Sequence, residues 1–159
     1  MLYRCLALVM ACATAGSASA DEGHVPDGLT VGVGAGVGTA GTRVEIPILF
    51  SPYIKVQPTF GVLGPVGDLG ASIEFTLDNP DYKAVRVTGG ARGKVAIDEV
   101  IRVAAGGLLA GEYFFTSGFS IAAEAHGLVF FPSRATADIP AEPTQFGTEA
   151  YLSARFYFL

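Results

Sequence analysis

The residues best suited to chemistry in this chain are Ser120, Glu124 and His126, which lie close together in the sequence. A serine, a histidine and a carboxylate are the components of a nucleophile activated by a general base. The surrounding alternation predicts a strand, however, which would separate Ser120 and His126 by about 20 Å at about 3.3 Å per residue. These two side chains therefore cannot form one hydrolytic site. We predict instead that His126 hydrogen-bonds to a carboxylate.

Two other segments have a chemical interpretation that we consider and reject. Residues 36–41 match the Gly-x-Gly-x-x-Gly pattern of dinucleotide-binding loops, but that site needs a helix directly after the glycines. Residues 43–46 alternate as a strand does, so we predict a hairpin loop and no cofactor. His24 lies among Asp21, Glu22 and Asp27 and would bind a metal only weakly, and we expect a flexible segment there.

Residues 1–20 have the features of a cleaved secretory signal peptide. Arg4 supplies a positive charge, residues 6–15 are apolar, and Ala18-Ser19-Ala20 is a small-residue cleavage site. The apolar stretch is shorter than the roughly 20 residues of a spanning helix. Both cysteines of the chain lie in this segment, so the 139 residues that remain of 159 have no thiol for a disulfide or a metal. We expect a flexible segment at residues 21–28 and one domain at residues 29–159.

The composition is unusual for an exported soluble domain. Half of the residues are hydrophobic and 16% are charged, yet no apolar stretch of spanning-helix length follows the signal peptide. Loss of Arg4 would change the net charge from −5 to −6, and an acidic chain is a poor candidate for binding nucleic acid. Strands with one apolar side facing lipid would accommodate such a composition.

The rest of the chain reads as strands separated by Gly, Pro, Asn and Asp. Eight strands are predicted, at residues 29–38, 43–51, 53–62, 69–77, 82–90, 100–115, 118–131 and 145–159. Short turns at 51–52, 78–81 and 116–118 alternate with connections at 39–42, 63–68, 91–99 and 132–144, most of which are longer. This pattern predicts an all-β fold, an eight-stranded antiparallel up-and-down transmembrane β-barrel.

The two faces of the predicted strands differ in charge. One face is uncharged through the middle of every strand and has aromatic residues near the strand ends: Phe50, Phe60, Tyr113, Phe115, Phe119, Phe131, Phe156 and Phe158. The other face carries five acids, five bases and a histidine: Arg43, Glu45, Lys55, Glu74, Arg86, Arg102, Glu112, Glu124, His126, Glu149 and Arg155. Aromatic girdles favour a lipid-facing wall. We therefore predict that the charged residues pair in the lumen and plug it, and that the glycines at 32, 34, 36 and 38 leave room for them.

Two segments resemble small outer-membrane barrels of the OmpA and OmpX type. Residues 111–124 are similar to the penultimate hairpin of that family, in which Glu-Tyr-Phe precedes a tight turn and Phe-Ser opens the next strand. Residues 150–159 resemble the C-terminal strand read by the barrel-insertion machinery, with an insertion signal at Tyr151, Phe156, Phe158 and Leu159. Leu159 departs from the family, which ends in an aromatic residue. The resemblance implies a Gram-negative outer-membrane location, with outer-membrane lipid and the insertion machinery as partners.

We expect a non-enzymatic, monomeric barrel with a structural or surface-interaction role in the cell envelope, closed to general diffusion. Residues 132–144, rich in Pro, Ala and acid, are the expected contact for a surface ligand. Two alternatives stay open. One is an outer-membrane lipid-modifying hydrolase similar to lipid A deacylases, in which Ser72 or Ser153 from another strand completes the site. The other is a soluble periplasmic lipocalin-like ligand-binding barrel with the apolar face inside, although the chain has no Trp for the lipocalin Gly-x-Trp motif.

Overall fold

The computed structural model describes residues 24–63, 67–78, 84–97, 101–132 and 143–158. Its strand segments are β1 (Thr30–Gly38), β2 (Gly41–Glu45), β3 (Ile48–Ser51), β4 (Ile54–Leu63), β5 (Gly67–Thr76), β6 (Val85–Ile97), β7 (Ile101–Thr116), β8 (Phe119–Phe130) and β9 (Gln145–Phe158). The predicted signal peptide, most of the predicted surface loop and Leu159 lie outside the described residues. Within these ranges, no helix is long and apolar enough to cross a bilayer.

The segments form a closed, eight-stranded antiparallel barrel, as predicted. Closure occurs between β1 and β9, which pair from Val31–Phe158 to Gly38–Tyr151. β2 and β3 are two parts of one barrel strand, because both lie between β1 and β4. They separate at residues 46–47, since Pro47 has no amide hydrogen for the ladder. The Pro47 carbonyl still accepts a hydrogen bond from the Gly32 amide at 2.8 Å.

The strands are staggered around the barrel. Paired residues can be followed once around it, through Gly34, Glu45, Thr59, Gly70, Lys94, Ala104, Phe130 and Gln145. If the β9–β1 pairing is continued to Gln145, its partner position lies about ten residues beyond Gly34. One circuit of the barrel is therefore staggered by about ten residues. Such a stagger requires strands that tilt by roughly 35–45° from the barrel axis. Inward side chains from strands on opposite sides of the barrel can therefore meet in the middle.

The barrel has two openings. We call the end at which β1 begins and β9 ends the terminal mouth, and the turns at residues 52–53 and 117–118 lie at this end. We call the opposite end, with the turn at residues 39–40 and the ends of β6, β8 and the start of β9, the loop mouth. Gly41 follows the turn at the loop mouth with a φ of 115°, which glycine adopts without strain.

Alternation along the strands separates apolar from charged side chains as predicted. In the described strands, every exposed outward position holds an uncharged residue, most often Val, Ile, Leu, Ala, Gly or an aromatic. Eleven inward charged side chains of the described strands are at most 8% exposed: Arg43, Glu45, Lys55, Glu74, Arg86, Arg92, Lys94, Glu112, Glu124, Glu149 and Arg155. The barrel is therefore polar inside and apolar outside, and charged residues are almost never fully buried unless they are paired.

One strand boundary differs substantially from the prediction. Residues 91–99 were predicted to form a loop, but β6 continues to Ile97 and pairs with β7 along its whole length. Glycines 89, 90 and 93 are typical of a turn, but here they pair with β7 in the hydrogen-bonded ladder of the sheet. The continuation of β6 brings two further basic residues, Arg92 and Lys94, into the lumen.

The described part of the segment before β1, residues 24–29, is partly buried. Val25 is 2% exposed and Pro26 is buried, whereas residues 27–29 are exposed. Val25 packs in a buried cluster with Leu49, Phe114 and Tyr157, which point inward from β3, β7 and β9. Val25 therefore anchors residues 24–29 to the barrel interior, and residues 21–23 of the predicted flexible segment lie outside the described residues. The sequence around Val25 does not indicate that this side chain is buried, because Leu49, Phe114 and Tyr157 come together only when the barrel closes.

Candidate functional site: the lumen network

The centre of the lumen network is formed by two carboxylates and two guanidinium groups. Glu45 accepts hydrogen bonds from Arg43 Nε at 2.7 Å and from Arg155 Nε at 2.8 Å. Glu124 pairs with the Nη2 atoms of the same two arginines. These contacts connect β2 with β8 and β9 across the lumen, although Arg43 and Glu124 are 81 residues apart in the sequence. Each buried charge at the centre thus has an opposite charge beside it.

A second part of the lumen network lies toward the terminal mouth. Lys55 Nζ is 2.8 Å from Glu74 Oε2 and 3.7 Å from Glu112 Oε2. Arg155 Nη1 is 3.3 Å from the same Glu112 oxygen and connects this part to the centre. The Tyr157 hydroxyl also donates to Glu112, at 2.6 Å. Glu112 therefore joins β4, β7 and β9.

The third part lies toward the loop mouth. His126 Nε2 is 2.9 Å from Glu124 Oε2, and its Nδ1 is 3.8 Å from Glu149 Oε2. Lys94 pairs with Glu149 and lies 3.8 Å from Asp68. His126 thus contacts carboxylates, as predicted, and it connects the centre to an ion pair near the opening.

Lys94 and Arg92 are the lumen residues that the sequence reasoning missed. Both lie in the predicted loop at residues 91–99, although their even positions continue the inward alternation of Arg86 and Thr88, which is the signal that could have located them. Arg92 donates through Nη2 to Thr59 Oγ1 at 3.0 Å. Its Nε and Nη1 atoms are buried without a hydrogen-bond partner among the described residues.

All five predicted acids form ion pairs, and the set of bases that pair with them differs from the predicted set at Arg86 and Lys94. Arg86 is fully buried and donates through Nε to Thr76 Oγ1 at 2.9 Å, but it has no ion pair within the described ranges. Arg102 is half-buried at the loop mouth, with its guanidinium carbon 5.9 Å from the centroid of the Phe130 ring. Lys94, on the extended part of β6, supplies a cation that the prediction lacked. The pairing differs because strand extent and stagger, rather than charge alone, decide which side chains meet.

Glycines in β1 provide the space that the network fills. A Cβ atom at Gly34 would lie 2.9 Å from Arg155 Cγ. A Cβ atom at Gly36 would lie 2.6 Å from Ser153 Oγ and 2.9 Å from Glu45 Oε1. These separations are shorter than van der Waals contact, so the prediction that the β1 glycines leave room for charged side chains is confirmed at positions 34 and 36. Gly32 and Gly38 face the side chains of Tyr157 and Tyr151 instead.

The serines considered for catalysis do not contact the histidine. Each of them donates to a glutamate: Ser120 to Glu112 at 2.6 Å, Ser153 to Glu45 at 2.6 Å and Ser72 to Glu74 at 3.1 Å. His126 lies against Glu124 instead. In the part of the chain that the structure describes, no group of three or more His, Cys, Asp or Glu residues is arranged to hold a metal ion. The described contacts of these serines are therefore hydrogen bonds within the lumen network.

The residues of the predicted insertion signal lie on both faces of β9. Tyr151 points into the lumen, where the Arg43 guanidinium carbon is 3.8 Å from its ring centroid. Phe156 is half-buried and Phe158 is exposed, and both face outward.

Aromatic residues of the outer face concentrate at the two mouths. Near the terminal mouth, Tyr113, Phe115, Phe119 and Phe156 form a continuous row with successive ring centroids 4.8, 5.5 and 4.9 Å apart. Near the loop mouth, Phe131 and Phe146 are exposed. The wall between them presents mainly aliphatic side chains and glycine.

Comparisons of the chain with protein-family models, with curated proteins and with solved structures found no match. The functional interpretation therefore rests on the lumen network and the outer face.

Proposed function

We propose that this protein is a non-enzymatic β-barrel of the bacterial outer membrane with a structural or surface-interaction role, exported by a signal peptide at residues 1–20. The distribution of charge carries the proposal. Exposed outward side chains of the described strands include no Asp, Glu, Lys or Arg, while eleven Glu, Lys and Arg side chains are buried inside. An Arg or Lys on the outer wall costs about 2–4 kcal/mol at the bilayer midplane, so this distribution suits a wall surrounded by lipid.

The dimensions and edges of the barrel support a membrane location. β1 has 9 residues and β4 and β5 have 10 each, and a tilted transmembrane strand needs about 9–11. Because β1 pairs with β9, the barrel has no open sheet edge that would leave backbone groups unsatisfied in lipid. The aromatic residues at the two mouths correspond to the girdles that flank the apolar band of such barrels.

The lumen network supports a closed barrel rather than a general pore. An eight-stranded barrel has an interior just wide enough for side chains to fill. Ion pairs cross the lumen between Arg43 and Glu124 at the centre and between Lys94 and Glu149 near the loop mouth. Solutes that entered the lumen would have to displace these buried pairs.

The same contacts disfavour the two alternatives. A lipocalin-like carrier needs an apolar cavity for its ligand, and this lumen is filled by charged side chains. A lipid-modifying hydrolase needs a serine in contact with a base, and Ser120, Ser72 and Ser153 donate to glutamates. The connection between β8 and β9, predicted at residues 132–144, is our proposed contact for a surface partner.

Membrane fractionation followed by electrophoresis of unheated and heated samples tests the proposal. We expect the protein in the outer-membrane fraction after a high-salt wash, with a mobility that shifts on boiling because the closed barrel resists detergent. A protein in the soluble periplasmic fraction with no shift would contradict the membrane location. A membrane-bound protein that hydrolyses lipid A would instead contradict the non-enzymatic role.

A further inference from the structure

A cluster of buried, mainly apolar side chains lies at the terminal mouth. Leu49, Phe114 and Tyr157 point inward from three different barrel strands, and each is at most 5% exposed. The rings of Phe114 and Tyr157 are 5.6 Å apart. The fourth member of the cluster, Val25, comes from the segment before β1. The cluster adjoins the lumen network directly, because the Tyr157 hydroxyl donates to Glu112.

Local backbone geometry favours the position of Val25. Pro26 follows it, and a residue before proline is biased toward extended backbone. Pro26 is itself buried, whereas Asp27 and Gly28 are exposed. The Thr30 hydroxyl donates to the Gly28 carbonyl at 3.2 Å and ties the segment to the first residue of β1. The chain therefore turns over the terminal mouth before it enters the barrel wall.

We propose that residues 24–29 form a lid that closes the terminal mouth, with Val25 as the side chain that seals it. The lid is distinct from the lumen network: the network neutralises the buried charges, and the lid keeps water and ions away from them at one end. The buried side chains of Val25 and Pro26 anchor the lid, whereas ladders of hydrogen bonds hold the strands. A segment held by side-chain packing opens more readily than a strand of the barrel wall.

Cysteine accessibility tests whether the lid is docked. The experiment uses the folded, purified protein with Cys5 and Cys12 replaced by alanine, and it compares Val25→Cys with the exposed neighbour Asp27→Cys. We expect a water-soluble maleimide to label Val25→Cys about tenfold or more slowly than Asp27→Cys in the folded state, and equally fast in urea. Equal rates in the folded state would overturn the lid. This result does not depend on the membrane location, so its failure is distinguishable from failure of the proposed function.

A second experiment tests whether the lid closes the mouth. Leu49→Cys reports on the cluster beneath the lid, and Val25→Asp removes the seal without altering a strand. We expect Val25→Asp to increase the labelling rate of Leu49→Cys by about tenfold or more, while the matched change Asp27→Asn leaves the rate unchanged. If Val25→Asp leaves the rate unchanged in a folded barrel, the cluster is sealed without the lid and the proposal is wrong. Far-ultraviolet circular dichroism of each variant verifies the fold.

Discussion

At the scale of single residues, Glu124 shows how buried charges are accommodated in this barrel. It pairs with Arg43 and Arg155, accepts a hydrogen bond from Gln57 Nε2 at 3.1 Å and contacts His126. A buried ion pair gains little net stability over apolar residues, but removal of one partner leaves the other charge buried and uncompensated. The network is therefore sensitive to the loss of one carboxylate.

Replacement of Glu124 by glutamine tests this sensitivity. We expect Glu124→Gln to lower the free energy of unfolding by about 3–5 kcal/mol, because Arg43 and Arg155 lose their shared carboxylate. A urea titration followed by circular dichroism measures the change. As a control, Asp68→Asn, which is half-buried at the loop mouth, should lower it by less than about 1 kcal/mol. Similar losses in both variants would contradict the central role of Glu124.

Arg92 and Arg155 are both buried arginines but differ in their partners. Among the described residues, Arg92 hydrogen-bonds only to the Thr59 hydroxyl, whereas Arg155 pairs with Glu45, Glu112 and Glu124. We expect Arg92→Met to change the free energy of unfolding by less than about 1 kcal/mol and Arg155→Met to lower it by about 3–5 kcal/mol. The same urea titration distinguishes the two variants, and an equal loss would show that Arg92 has a partner of equal importance.

At the scale of elements, β1 is specialised by its glycines. Its outward residues are Val and Ala, and its inward positions from 32 to 38 are all glycine. Side chains of the neighbouring β9 and β2 occupy the space beside them. The absence of inward side chains at positions 32 to 38 thus allows bulky arginines on the strands next to β1.

A methyl group on the inward face of β1 tests this specialisation. Gly36→Ala would place Cβ 2.6 Å from Ser153 Oγ, and we expect it to lower the free energy of unfolding by about 1–3 kcal/mol through overpacking. The outward neighbour provides the control, because Ala35→Val should change it by less than about 0.5 kcal/mol. If Gly36→Ala is as stable as the control, the lumen beside β1 has unused space.

The elements also show what the sequence could and could not predict. Alternation is a local property, so the inward and outward faces and the closed eight-stranded fold could be predicted from the sequence. The extent of β6 could not, because its glycines resemble a turn and only pairing with β7 makes them a strand. Pairing across the lumen, as between Arg43 and Glu124, depends on closure and stagger, which no short segment encodes. The burial of Val25 could not be predicted for the same reason, because its apolar partners come from three different strands.

At the scale of the whole molecule, the barrel is apolar outside and charged inside, and the proposed membrane location follows from that inversion. Leu109 lies on β7 and is 61% exposed. We expect Leu109→Arg to oppose insertion into lipid vesicles by about 2–4 kcal/mol, measured as the fraction of protein with the mobility of a folded barrel. Leu109→Ala is the control and should insert nearly as well as the unchanged protein. Unimpaired insertion of Leu109→Arg would argue against contact between β7 and lipid.

The most direct test of the central claim uses the absence of tryptophan in the chain. Leu109→Trp places one indole on the outer face, and Phe114→Trp places one inside the barrel, where Phe114 is fully buried. The measurement is tryptophan fluorescence of each variant, refolded into vesicles of lipids brominated on their acyl chains. The proposed location predicts strong quenching of Leu109→Trp and little quenching of Phe114→Trp. Equal quenching, or stronger quenching of Phe114→Trp, would contradict a barrel whose apolar outer wall faces lipid.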